Sequence, residues 1–285
     1  MARVSSKKIY GVLGYPARHS LSPQMHNAAF RFLKINAEYR IFEVKPEELD
    51  TFVNTLAEEN IFGFNVTIPY KERIMDFVKP DRVSSYLRQI KAVNTVVFQD
   101  GVWKGFNTDI SGFKRDLDER GVSVLGKSAA LLGAGGAGRA VAYVLANNGA
   151  KDITVYDVDA VRAKSLIELI NGLFFGFKIN YVTEPGQLDI PDKDILVNAT
   201  PVGMKESDPI PVEPEVLHPG LFVYDLIYNP AQTKLIRIAK DKGAKTANGL
   251  GMLLYQGALS FEYFTGMEAP VELMRQALEE GVKGL

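Results

Sequence analysis

The chain contains no cysteine in 285 residues, which excludes disulfides, thiolate nucleophiles and cysteine-held metals, and leaves the redox compartment unread. Histidine is scarce. His19, His26 and His218 lie at no metal-ligand spacing to one another or to a carboxylate, so no metal site is expected and the three should pack or cap. Charge of one sign is also lacking: 33 Lys and Arg against 34 Asp and Glu give a net charge of -1, with no basic footprint for nucleic acid. No apolar run approaches the roughly 20 residues of a membrane span. The opening MARVSSKKIYGVLG has no long apolar core and does not read as a signal peptide, so the expected location is cytoplasmic. The single tryptophan, Trp103, is expected in the core, and no repeats or low-complexity tracts occur. What remains, 46% hydrophobic and 24% charged, is ordinary for a globular chain long enough to form two domains.

The stretch SAALLGAGGAGRAVAYVLANNGAKDITVYD, Ser128–Asp157, organises the rest. A short apolar run enters the glycine turn Gly133, Ala134, Gly135, Gly136, Ala137, Gly138; a helical run to Asn147 follows; a second apolar run ends on Asp157. Strand, turn, helix, strand is the first unit of a parallel dinucleotide-binding sheet. Gly133 permits the tight turn, Gly135 lets the backbone approach a pyrophosphate, and Gly138 lets the helix pack close to the strand. The helix N-terminus offers its N–H groups to the phosphates.

Elsewhere the pattern predicts strands over Ile9–Gly14, Tyr39–Val44 and Phe62–Ile68, and a hairpin of Val93–Phe98 with Val102–Gly105 about Asp100-Gly101. Helices are expected over Gln24–Leu33, Pro46–Glu59, Arg73–Val78, Val83–Ile90 and Ile110–Arg120. Beyond Asp157, strands near Lys178–Val182, Ile195–Asn198, Leu221–Leu226 and Lys245–Ala247 alternate with helices Ala160–Leu169 and Thr233–Lys242; Gly251–Gly266 and Val271–Glu280 close the chain as helices. The aromatic run Leu173–Phe177 is expected to pack, or to serve an oligomer contact where exposed. The class is α/β.

Polar residues gather at strand exits, where open α/β sheets bind ligands: Ser20, Ser22, Asn65, Thr67, Lys71, Asn94, Thr95, Asn107 and Asp109. Hydroxyls and amides with one lysine and one aspartate suit a small polyhydroxylated carboxylate, the Lys–Asp pair handling a proton. Taken singly, each is equally a turn-former or cap; Ser22 before Pro23 reads as an N-cap, and Asp109 could cap its own helix.

Taken in order, GYPARHSLSPQMHN, NVTIPYK, KAVNTV, FNTD, the glycine turn, NATPVGM, DLIYNP and NGLGMLLYQGA resemble the shikimate dehydrogenase family over Gly14 to Gly257. The resemblance implies an NAD(P)-dependent oxidoreductase interconverting 3-dehydroshikimate and shikimate, in aromatic amino acid and chorismate biosynthesis. It implies an α/β catalytic domain (1–109 with 250–285) completed by C-terminal helices, with a Rossmann domain (110–249) inserted. It also implies roles: Lys71 and Asp109 catalytic; Ser20 and Ser22 on the substrate carboxylate; Thr67, Asn94 and Asp109 around the ring hydroxyls; Tyr228 and Gln256 closing the pocket. The cofactor would lie on Gly133 to Gly138, with Asp157, Asp159, Arg162 and Thr200, and with Leu226 and Gly249 near the nicotinamide. The partners implied are small molecules alone, in a monomer or homodimer.

This chain departs from the family at two places. Lys91 stands where glycine is frequent before AVNT. NADP-using members commonly carry Asn-Arg-Thr/Ser after the second nucleotide-domain strand, where this chain has Asp157, Val158 and Asp159. Asp157 suits a free ribose 2′-OH, whereas a 2′-phosphate would meet like charge, so NAD is expected over NADP. A catabolic quinate/shikimate dehydrogenase remains an alternative, although Ser22, often threonine in quinate users, leans toward shikimate. From a different class, a non-catalytic nucleotide-binding regulatory module would be expected to lack Lys71 or Asp109, and both are present.

Overall fold

The computed structural model describes residues 7–56, 58–78 and 90–283. The chain divides into two compact units, one formed by Met1–Gly112 with Leu253–Leu285, the other by Phe113–Met252. The helix expected over Val83–Ile90 lies, but for its last residue, outside the described residues.

The first unit is built on a five-stranded sheet in the order β2-β1-β3-β4-β5. Strands β1 (Lys8–Gly14), β2 (Ala37–Glu43) and β3 (Ile61–Val66) are parallel, while β4 (Thr95–Gln99) and β5 (Val102–Phe106) form an antiparallel hairpin. After its first residue β1 is buried throughout, as a central parallel strand covered on both faces must be. The hairpin turns on Asp100 and Gly101, whose φ angles of 54° and 76° are those of a type I′ turn, the reason for the Asp-Gly pair. Ile9, Leu13, Phe64, Val66, Tyr70 and Val96 form a core against which the half-buried Trp103 packs.

Two helical readings are corrected. Pro46–Glu59 is not one helix but a 3-10 turn, Pro46–Glu48, followed by α2 (Leu49–Thr55). The chain must reverse before β3 starts at Ile61, and it does so with Asn60 in the left-handed region (φ 58°) and with the Ile61 N–H bonded to the Leu56 carbonyl. Ser22 does not cap α1 (Ser22–Phe32); Leu21 occupies the N-cap and Ser22 is the first helical residue. At the edge strand β2, the Asn27 side chain from α1 donates to the Tyr39 carbonyl (2.8 Å) and accepts from the Tyr39 N–H (2.9 Å).

His26 packs, as expected of a histidine without ligand spacing. It is fully buried and stacked on Tyr39 at 4.2 Å, and among the described residues neither ring nitrogen has a hydrogen-bond partner. Burial pushes its pKa down to about 3. Above pH 6.5 the ring is neutral folded and unfolded; as the pH falls below that value the unfolded chain takes up a proton that the folded one refuses. Stability should therefore fall by about 1.4 kcal/mol per pH unit on this account, about 2 kcal/mol between pH 7 and pH 5. Urea unfolding of the protein and of His26→Phe at both pH values checks this: the variant should lose that part of the slope, and equal slopes would exclude the effect.

The second unit carries a six-stranded, all-parallel sheet in the order β11-β10-β9-β6-β7-β8. In chain order it runs α3 (Thr108–Glu119), β6 (Ser128–Leu132), α4 (Gly136–Asn147), β7 (Asp152–Tyr156), α5 (Ala160–Leu173), β8 (Lys178–Val182), β9 (Ile195–Asn198), β10 (Phe222–Asp225), α6 (Lys234–Asp241) and β11 (Lys245–Asn248). Helix α3 begins within the first unit, and α7 (Leu250–Thr265) and α8 (Val271–Lys283) end the chain. Leu132, Leu196, Val223 and Leu235 belong to the core of this unit. Of the aromatic run after α5, Phe174 packs on Tyr143 while Phe175 is exposed.

Candidate active site

Strand direction gathers the polar residues of the first unit at one sheet edge. The exits of parallel β1 and β3 lie at that edge, and antiparallel register puts Thr95, which opens β4, opposite both Asn65 and Phe106 at the end of β5. The segments carrying Ser20 and Ser22, Thr67 and Lys71, Asn94, and Asp109 therefore leave the sheet on one side.

At the centre, Lys71 Nζ donates to Asp109 Oδ2 at 2.5 Å, with the two side chains only 14% and 6% exposed. Asp109 Oδ1 accepts from Asn94 Nδ2 at 2.8 Å. Asp109 does not cap its helix; Asn107 Oδ1 accepts the Ile110 N–H at the head of α3, which leaves the Asp109 carboxylate to Lys71 and Asn94. The Asn94 amide has one possible orientation, because its Oδ1 accepts the Thr108 backbone N–H at 2.7 Å, so its NH₂ must face Asp109. The Gln256 carbonyl oxygen lies 3.4 Å from the same NH₂. Behind this group, Ser260 on α7 meets Thr95 (2.9 Å) and Thr108 (3.1 Å) and accepts from Asn65 Nδ2 (2.8 Å), while Asn65 Oδ1 accepts the Tyr39 hydroxyl (2.7 Å). Sequence reasoning passed over Ser260 and Thr108. The spacing of Ser260, one helical turn after Gln256, was the available signal.

The other expected substrate residues stand less closely together. Ser20 Oγ accepts the Ser22 N–H at 3.3 Å, and Ser22 is buried while Ser20 is half-buried. Thr67, half-buried, follows β3, its N–H bonded to the Leu13 carbonyl. Tyr228 belongs to the second unit, in the segment after β10.

In the second unit the residues at the glycine turn fit a dinucleotide. Gly133 has φ 97°. A Cβ on Gly138 would lie 2.0 Å from the Gly133 carbonyl oxygen, so helix and strand approach as closely as backbone allows, whereas one on Gly135 would meet nothing within 4 Å. Gly135 is the N-cap of α4, leaving the N–H groups of Gly136, Ala137 and Gly138 for a phosphate. Asp157 Oδ2 accepts the Ala134 N–H at 2.7 Å and its Oδ1 the Asp159 N–H at 2.8 Å, so the acid is fastened to the turn. Asp159 caps α5 through Val161 and Arg162, and Arg162 pairs with it at 3.4 Å. Thr200, Leu226 and Gly249 follow β9, β10 and β11. Among the described residues no cluster of metal ligands occurs, and no helix is long and apolar enough to cross a membrane.

One unit carries a dinucleotide-type sheet and the other a lysine–carboxylate pair, and the relatives of this chain make it an oxidoreductase acting on a CH–OH group. Residues 12–96 match the shikimate dehydrogenase substrate binding domain, and residues 249–279 the shikimate 5′-dehydrogenase C-terminal domain. The chain belongs to the shikimate dehydrogenase family. A shikimate dehydrogenase (NADP(+)) of Methanopyrus kandleri is 44% identical over 281 residues, covering 96% of each chain. Among solved structures, a shikimate dehydrogenase in complex with NADP+ superposes with a TM-score of 0.87 at 38% identity, covering 97% of this chain and 96% of the other. The shikimate 5-dehydrogenase of Listeria monocytogenes, in complex with shikimate and NAD, gives 0.84 at 37% identity, covering 95% and 96%.

Proposed function

We propose that this protein reduces 3-dehydroshikimate to shikimate, reversibly, with NAD preferred over NADP as the oxidised cofactor. The observation that carries the reading is the Lys71–Asp109 pair, 2.5 Å apart and oriented by Asn94 at the polar edge of the first unit. The bound nicotinamide cofactor supplies or takes the hydride. Lys71 passes the proton to or from the reacting oxygen, and Asp109 holds the ammonium in place. Asn94, Thr67 and Gln256 present amides and a hydroxyl to the ring hydroxyls, and Ser20 and Ser22 receive the carboxylate. Sequence identity supports shikimate over quinate: the relatives named for shikimate above are 44% and 37% identical, against 31% for a quinate dehydrogenase of Corynebacterium glutamicum that also superposes, with a TM-score of 0.85. A non-catalytic module has no use for a lysine and a carboxylate held together at a site edge. Assaying the purified protein with shikimate and quinate, each with NAD and NADP, tests the whole reading. Shikimate with NAD should be the fastest pair; no turnover of shikimate with either cofactor would overturn it, and faster turnover of quinate would make this a quinate dehydrogenase.

A further inference from the structure

Asp225 ends β10 with no exposed surface, and nothing above gives it a role. Its Oδ2 accepts the Thr233 hydroxyl at 2.6 Å; its Oδ1 accepts Asn198 Nδ2 at 3.0 Å and the Ile227 N–H at 3.2 Å. Every one of these partners is neutral, and among the described residues no cation pairs with it. Burial pushes its pKa up to about 6, against the pull of the three hydrogen bonds. A buried acid without a cation is a poor stabiliser of a fold. What it does provide is a set of acceptors aimed at three separate pieces of chain.

Those pieces are the loops that leave the sheet. Asn198 ends β9, and its Oδ1 accepts both the N–H (3.1 Å) and the hydroxyl (2.7 Å) of Thr200. The backbone donor fixes the amide, so its NH₂ must face Asp225 and the Val202 carbonyl (3.1 Å). Ile227 opens the loop after β10. Thr233 closes that loop as the N-cap of α6, its oxygen also accepting the Ile236 N–H. One carboxylate thus sets 199–203 and 226–233 against each other. The first loop abuts the glycine turn, since a Cβ on Gly133 would lie 2.9 Å from the Ala199 carbonyl oxygen; the second abuts Gly249, where a Cβ would lie 1.9 Å from that of Leu226.

The strand order reverses between β6 and β9, the crevice in which such sheets hold a dinucleotide. The glycine turn follows β6 and Asp157 comes directly after β7, so the adenosine half falls over β6–β8 and the nicotinamide half over β9–β11. We infer that Asp225 is a positioning residue for the nicotinamide half of the bound cofactor, holding the exit loops of β9 and β10 in mutual register without touching the cofactor itself. The inference rests on the dinucleotide reading above.

Binding of NADH, followed by its fluorescence, and of ADP-ribose, followed by calorimetry, tests it in the full-length protein, in Asp225→Ala and in Asp225→Asn, with folding checked by circular dichroism. ADP-ribose lacks the nicotinamide. In Asp225→Ala the NADH Kd should rise about ten- to a hundredfold, the loss expected for hydrogen bonds to a charged group, while that of ADP-ribose stays within about twofold. Asp225→Asn keeps the size and two of the acceptor contacts, so it should recover part of the NADH affinity. If the alanine variant does not fold, the asparagine variant carries the test, with NADH weakened at least about threefold and ADP-ribose unchanged. Equal weakening of both ligands, or weakening of neither in folded protein, overturns the inference alone. Failure of the unmodified protein to bind NADH or NADPH overturns the dinucleotide reading and this inference with it.

Discussion

Replacing Lys71 by alanine is expected to lower kcat by about 10²–10⁴-fold, the usual contribution of a positioned proton donor, while leaving fold and cofactor binding intact. Lys71 is held at 2.5 Å from Asp109 and is 14% exposed, so a solvent molecule cannot simply take its place with the same orientation. Removing the ammonium also leaves the Asp109 carboxylate with Asn94 as its remaining side-chain partner among the described residues. Asp109→Asn should lose rate as well, by a smaller factor: its one amide oxygen can still accept from Lys71, though only with its NH₂ turned toward that of Asn94, and the charge that holds the ammonium is gone. Steady-state kinetics with shikimate, alongside NADH binding as the control, decides the matter. Near-normal turnover in a folded Lys71→Ala protein would remove Lys71 from the mechanism.

The second large effect concerns the cofactor. The unmodified protein is expected to favour NAD over NADP in kcat/KM by at least about tenfold, a difference of only about 1.4 kcal/mol. Relatives such as that of Methanopyrus kandleri carry NADP(+) in their names, so the expectation rests on three residues of this chain. Asp157 is anchored at both oxygens by backbone N–H groups and cannot swing away from an incoming 2′-phosphate. Each oxygen still has a lone pair for a ribose hydroxyl. Val158, 88% exposed, supplies no guanidinium, and Arg162 is paired with Asp159. Recruiting Arg162 to a phosphate would mean breaking that pair with two carboxylates left nearby. Changing Asp157, Val158 and Asp159 to Asn, Arg and Thr should move the cofactor ratio toward NADP by at least about tenfold without altering the KM for shikimate. Asparagine in place of Asp157 would forfeit one of the two backbone contacts, so a lower Tm should accompany the switch, while threonine in place of Asp159 can still cap α5. Equal efficiency with both cofactors before any change, or a preference for NADP, would refute the part assigned to Asp157.

The features legible in the sequence were those in which one residue type answers one local demand. Asp100-Gly101 meets the positive φ angles of its turn, and Gly138 meets a carbonyl at a distance no side chain tolerates. Helix ends were read less well, because the end of α2 is dictated by where β3 must begin rather than by the residues inside the helix. Least legible was the support beneath the site. Ser260 meets Asn65 across 195 residues of sequence, and the Tyr224 hydroxyl reaches buried Asp116 across 108. Periodicity puts Ser260 one helical turn from Gln256 but names no partner for it across the sheet, and nothing in the sequence names one for Tyr224, so only the folded chain reveals them. Asp225 lay within a matched segment, DLIYNP, yet its neighbours there gave no hint that its carboxylate joined two loops through three hydrogen bonds.

The bidentate grip of Asn27 on Tyr39 bears on how the molecule behaves in a crowded solution. β2 is the outermost strand of its sheet, and its free side would otherwise present a row of unpaired backbone groups able to template another extended chain. The amide of Asn27 imitates one peptide unit of a neighbouring strand at Tyr39, and the Glu38–Arg40 ion pair (3.0 Å) places two hydrated charges alongside. A foreign strand would have to evict the amide and desolvate the ion pair before its first hydrogen bond formed. Growth of the sheet at the β2 edge is thereby opposed, and resistance to aggregation there is built into the helix that follows β1.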